Sequence, residues 1–171
     1  MSSSDGARYR FRQLRRSLRA NVRAGDQNTA RRVLGERLFP LFDSMQAADQ
    51  LHCLDVYQRL VKTGCSDAEM LQAALIHDAG KGRIAGARFG VRHRVVYVAL
   101  ERTPRLLDRL ARYNRGLASL HGHSGKTIAL AREYGAAPGV VDLLEAMDNP
   151  LDNSQARDER ARLLKAVDDQ S

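Results

Sequence analysis

Apolar residues in this 171-residue sequence recur three and four positions apart in one segment after another. No segment alternates apolar and polar residues over a strand's length between turn signals. The recurring residues are mainly leucine and alanine, which favour helix over strand. An all-α fold follows. The length suits one domain with a single core and is too short for two domains and a linker, so one site is expected.

The first amphipathic pattern joins Phe11, Leu14, Leu18 and Val22, with Arg8, Arg10, Arg12, Arg15, Arg16, Arg19 and Arg23 over the remaining surface. It predicts a basic helix docked by its apolar side. A second helix is expected from an N-cap at Asp26, with Val33, Leu34 and Leu38 inward and its end before Pro40. Residues 1–43 thus read as a basic helical extension packed on a domain spanning 44–171. Within that domain a helix should start near Ala47, bury Leu51, Leu54, Leu60 and Val61, and stop at Gly64. Ser66 and Glu69 have capping-box spacing for a helix from Asp67 to about Ala79, with Met70, Leu71, Ala74 and Leu75 inward. The glycine-rich, cationic stretch 80–90 reads as a loop at or beside a site. Helices are then expected over about 91–101, 104–113, 126–134 with Gly135 as the stop, 138–147 with Pro138 in the first turn, and 155–169.

Several classes are excluded or narrowed. No apolar run approaches the roughly 20 residues that span a bilayer, and the arginine-studded start offers no signal-peptide core, so a cytoplasmic protein is the simplest expectation. Cys53 and Cys65 are too far apart for a CxxC motif and read as packed thiols in a reducing compartment. Residues 122–127, GlyHisSerGlyLysThr, imitate the end of a P-loop, but the first glycine is two residues too close and no strand precedes it. Lysine and arginine number 28 against 20 acids, a net charge of +8 that favours anionic partners without choosing among nucleotides, nucleic acid and anionic surfaces.

The stretch that carries chemistry is AlaAlaLeuIleHisAspAlaGlyLysGly, residues 73–82. It puts the Asp78 carboxylate near a helix C-terminus, where the macrodipole disfavours negative charge by about 0.3–1 kcal/mol. A cation should compensate. Lys81 can do so alone; alternatively His77 and Asp78 share a divalent ion, since imidazole nitrogen with carboxylate oxygen suits Zn, Mn, Fe, Co or Ni.

Taken with AspGlnLeuHis at 49–52 and LeuLeuLysAlaValAspAspGln at 163–170, this stretch resembles the signature of the HD superfamily of metal-dependent phosphohydrolases: a His, a His-Asp pair and a distal Asp on separate helices. The resemblance covers roughly residues 44–171 and implies a compact helical bundle. Carried over by position, it implies His52, His77, Asp78 and Asp168 as ligands of one divalent ion (Mn, Fe, Zn, Co, Ni or Mg). Asp169, adjacent to Asp168, is the competing distal acid. Members with two metals hold the second through a His at the position of His123 and another at the position of Met147. The thioether is a poor donor for hard ions, so a second metal is not expected here and Asp148 is the substitute to weigh. His93 and His121 read as surface or packing residues.

The resemblance implies a hydrolase for a phosphomonoester or small nucleotide. Asp78 would orient the attacking water, Lys81 would neutralise the transferring phosphoryl group with Arg83 and Lys126 as further phosphate contacts, and His123 would donate a proton or touch phosphate. Two alternatives stay open. One is a nuclease holding single-stranded nucleic acid on the N-terminal arginines, against which stands an aromatic content of 5% with no tryptophan. The other is a binding or regulatory module with a vestigial site.

Overall fold

The computed structural model describes residues 21–86, 122–148 and 159–171, together with single positions between 96 and 114. Residues 1–20 of the predicted basic helix, most of the segments 91–101 and 104–113, His93 and His121 lie outside the described residues. Among the described residues the fold is all-helical: α1 Ala24–Asp43, α2 Ala47–Lys62, α3 Ala68–Ile76, a 3-10 turn Ala79–Lys81, α4 His123–Glu133, α5 Pro138–Asp148 and α6 Glu159–Asp168. No helix among them is long and apolar enough to cross a membrane.

The centre is α3. Ala73, Ala74, Leu75 and Ile76 are consecutive and all buried, the pattern of a helix apolar on every side, and α1, α2, α5 and α6 pack around it. α1 contributes Ala30, Leu34, Leu38, Phe39, Leu41 and Phe42 to the same core, so residues 24–43 share the interior with the helices that follow. At about 1.5–3 kcal/mol for each large apolar side chain removed from water, these contacts dominate the stability of the bundle.

Several boundaries differ from the sequence expectation. α1 begins at Ala24 with Arg23 in the N-cap position, so Asp26 lies inside its first turn instead of capping it. α1 does not end before Pro40; it kinks at Gly35 (φ 65°, ψ 177°) and resumes, so Pro40 falls early in a fresh segment, where its missing N–H deprives only the Glu36 carbonyl of a helical bond. α3 is capped by Asp67 rather than Ser66: Asp67 Oδ1 accepts from Glu69 N–H at 2.9 Å and Met70 N–H at 3.1 Å. A carboxylate answers the positive helix end better than a hydroxyl, and Glu69 turns outward to share Arg160 with Asp67, both at 3.3 Å. α3 also stops at Ile76, so His77 is its C-cap and Asp78 lies just beyond it rather than in its last turn.

Other expected punctuation is present. Gly64 (φ 87°) closes α2 in a Schellman motif, with Cys65 N–H donating to the Leu60 carbonyl and Gly64 N–H to that of Val61, both at 3.0 Å. Pro138 opens α5, and α4 begins at His123, three residues before the expected start. Val61, in the last turn of α2, is exposed and not inward. Gln50 secures the entry to α2: its Nε2 lies 3.1 Å from the Phe42 carbonyl oxygen and 3.2 Å from those of Asp43 and Met45.

Candidate metal centre

Four helices bring chemistry-bearing residues to one place. His52 comes from the middle of α2, His77 from the end of α3, Asp168 from the last residue of α6 and His123 from the first residue of α4, while Asp78 and Lys81 flank the turn after α3. The α6 register follows from its buried stripe Ala161, Leu164 and Val167. Asp168 sits about 40° round from Leu164 and Asp169 about 140°, so burying that stripe turns Asp168 toward the site and Asp169 away.

His52, His77 and Asp168 offer ligand atoms all within 4.8 Å of one another. Nε2 of His52 donates to Asp168 Oδ1 at 2.9 Å, and Nε2 of His77 lies 3.4 Å from the same oxygen. The two rings meet edge to face with centroids 5.1 Å apart. Asp78 approaches from the other side, its Oδ1 4.0 Å from His77 Nε2 and 3.5 Å from His123 Nε2. Lys81 Nζ reaches both Asp78 oxygens, at 2.7 and 2.8 Å. Asp169 pairs with Lys165 on the outside, and Lys165 Nζ also stands 3.7 Å from Asp168 Oδ2.

His77 decides what this arrangement can hold. Its Nδ1 lies 2.9 Å from the Ala74 carbonyl, which only accepts, so Nδ1 carries a proton and donates it. Nε2 is then the atom aimed at the carboxylates. It is buried and makes no hydrogen bond; Asp168, at 3.4 Å, is a Coulombic neighbour rather than a hydrogen-bond partner. A buried nitrogen lone pair between two carboxylates attracts a cation, either a proton or a metal ion.

The ionisation states agree. Burial alone would push the His77 imidazole down, but the Asp78 and Asp168 carboxylates draw it up, and its pKa lies well above 6.5. Burial would raise Asp78 too, yet Lys81, His77, His123 and His52 hold it well below the carboxylate range. Asp168 is likewise held down against its burial by His52 and His77. Imidazole nitrogens with ionised carboxylate oxygens suit a divalent ion, and the described residues include two overlapping groups able to hold one: His52, His77 and Asp168, and Cys53, His77 and Asp78.

No family model, curated protein or solved structure matches the chain. The site is therefore read from its own residues.

The remaining predicted residues are placed as follows. Arg83 is exposed, its N–H donating to the Ser44 carbonyl at 2.9 Å, and Lys126 is half-buried one turn along α4 from His123. Met147 is half-buried against the core, and Asp148 is exposed at the end of α5. Residues 122–127 form the start of α4. Two neighbours of the site were not expected. Cys53, fully buried, places Sγ 3.7 Å from His77 Nδ1, and burial pushes its thiol up, so it stays protonated at neutral pH. Thr127 Oγ1 lies 3.1 Å from the His77 carbonyl oxygen. Position +4 from His123 on one helix was the available signal for Thr127; Cys53 had only its place beside His52.

Proposed function

We propose that the chain is a metal-dependent phosphohydrolase of the HD superfamily, acting on a phosphomonoester or small nucleotide. One observation carries the reading: His77 Nε2 is buried without a hydrogen-bond partner and faces the carboxylates of Asp168 and Asp78, with His52 bonded to the same Asp168 oxygen. Those four side chains are the proposed ligands of one divalent ion. Bound there, such an ion supplies Lewis acidity toward a phosphoryl oxygen and lowers the pKa of water for attack.

The chain's own groups supply the rest of the proposed chemistry. Asp78, ionised and fixed by Lys81, accepts a hydrogen bond from the attacking water and so orients it. The Lys81 ammonium neutralises charge gathering on the phosphoryl oxygens. His123, 3.5 Å from Asp78 Oδ1 and partly exposed, delivers a proton to the leaving oxygen. Lys126 and Arg83 are secondary phosphate contacts. The net charge of +8 suits an anionic substrate.

The test is metal content by mass spectrometry on protein purified without a nickel column, followed by a phosphatase and nucleotide panel with Mn, Mg, Co and Zn. About one ion per chain with turnover of a phosphate ester is expected for a single-metal site. A chain that binds none of these ions and hydrolyses nothing in the panel refutes the reading.

A further inference from the structure

The turn carrying Asp78 and Lys81 meets the start of α4 at one buried hydroxyl. Thr127 is 1% exposed; its Oγ1 accepts a hydrogen bond from Gly80 N–H at 2.8 Å and stands 3.1 Å from the carbonyl oxygens of both His77 and His123. A hydroxyl has one proton, so the two carbonyls share it. The backbone groups gathered this way belong to His77, to Gly80, which precedes Lys81, and to His123. Gly80 leaves no slack in the joint, since a Cβ there would collide with the His123 carbonyl and meet Thr127 Oγ1 at 2.9 Å. With the two backbones held this close, His123 Nε2 lies 3.5 Å from Asp78 Oδ1.

We propose that Thr127 is a positioning residue whose hydroxyl sets the separation between His123 and the Asp78–Lys81 turn. Its catalytic consequence rests on the phosphohydrolase reading; the geometric claim does not. Valine at 127 keeps the shape but leaves Gly80 N–H buried without an acceptor and two carbonyls without a donor, so α4 loses its seat against the turn. Serine keeps the hydroxyl. His52 and Asp168 do not touch Thr127, and His77 and Asp78 meet its hydrogen bonds only through the backbone while their side chains keep contacts of their own to the Ala74 carbonyl and to Lys81, so metal affinity should change far less than kcat.

The experiment compares Thr127→Val and Thr127→Ser with the wild type in the full chain. It reads far-UV circular dichroism, Mn²⁺ affinity by calorimetry, kcat and KM for p-nitrophenyl phosphate, and the His123–Asp78 separation in crystals. Thr127→Val is expected to keep its helicity and to hold Mn²⁺ affinity and KM within about threefold of wild type while losing kcat on the order of 100-fold, the scale of a misplacement near 1 Å. Its His123–Asp78 separation should widen, and Thr127→Ser should recover most of the kcat. Unchanged kcat in Thr127→Val, a loss of Mn²⁺ affinity in step with kcat, or no recovery with serine would each overturn the proposal. If the wild type hydrolyses no phosphate ester, the phosphohydrolase reading fails by itself, and the separation in the valine variant, widened or unchanged, decides the positioning claim. Should Thr127→Val not fold, Gly80→Ala wedges the same joint from its other side and takes its place with the same readouts.

Discussion

His52 Nε2 lies 2.9 Å from Oδ1 of Asp168, a contact between positions 116 residues apart in the chain. It joins the middle of α2 to the last residue of α6 beside an imidazole, His77, whose own Nε2 lacks a hydrogen bond. Long-range closure at a point of unsatisfied polarity is what a ligand-binding centre needs and what a helix end in solvent does not.

The adjacent acids separate this centre from the surface. Asp168→Ala should weaken Mn²⁺ binding more than about 100-fold, beyond the 10–100-fold typical of outer-shell partners. Asp169→Ala, which loses only the exposed pair with Lys165, should stay close to wild type. Calorimetric titration of both variants checks this, and equal losses would contradict the α6 register.

Asp78→Ala removes the carboxylate that Lys81 and three histidines hold ionised. Metal occupancy and phosphatase activity should both vanish while far-UV circular dichroism stays near wild type, because Asp78 lies beyond the end of α3 and its side chain caps no helix. Turnover surviving the change would remove Asp78 from the proposed ligands.

Asp67 provides a pH-dependent stability. The Met70 N–H bond first, then Arg160 and the Glu69 N–H, lower its pKa below 3.8 despite partial burial. A depressed carboxyl stabilises the fold above its unfolded pKa and loses that contribution as pH falls through the folded value. Asp67→Asn keeps a capping oxygen but not the charge. Its Tm should therefore lie below wild type at pH 7, and the gap should close on acidification below about pH 4. A gap constant from pH 7 to pH 3 would show that the charge contributes nothing.

Gln50 anchors three carbonyls at the end of α1. Gln50→Ala should cost about 1–3 kcal/mol, and Gln50→Glu more, since it sets acceptor against acceptor in a buried position. Urea unfolding of the two variants measures both, and a more stable glutamate variant would refute the assignment of Nε2 to this contact.

Local chemistry by itself determined the helical class, the Gly64 stop, the Pro138 start and the His77, Asp78 and Lys81 grouping, because periodicity, caps and i,i+3 neighbours act over only a few residues. It erred where two local signals competed. Ser66 had capping-box spacing, but Asp67 carried the better acceptor, and Pro40 looked like a stop until Gly35 had already broken the helix. Tertiary packing decided that Asp168 rather than Asp169 meets His52, that Asp78 ends beyond α3, and that Thr127 clamps Gly80 between the histidine carbonyls. These contacts depend on how buried stripes of different helices dock, which sums apolar burial over the whole core, and no window of neighbouring residues contains that sum.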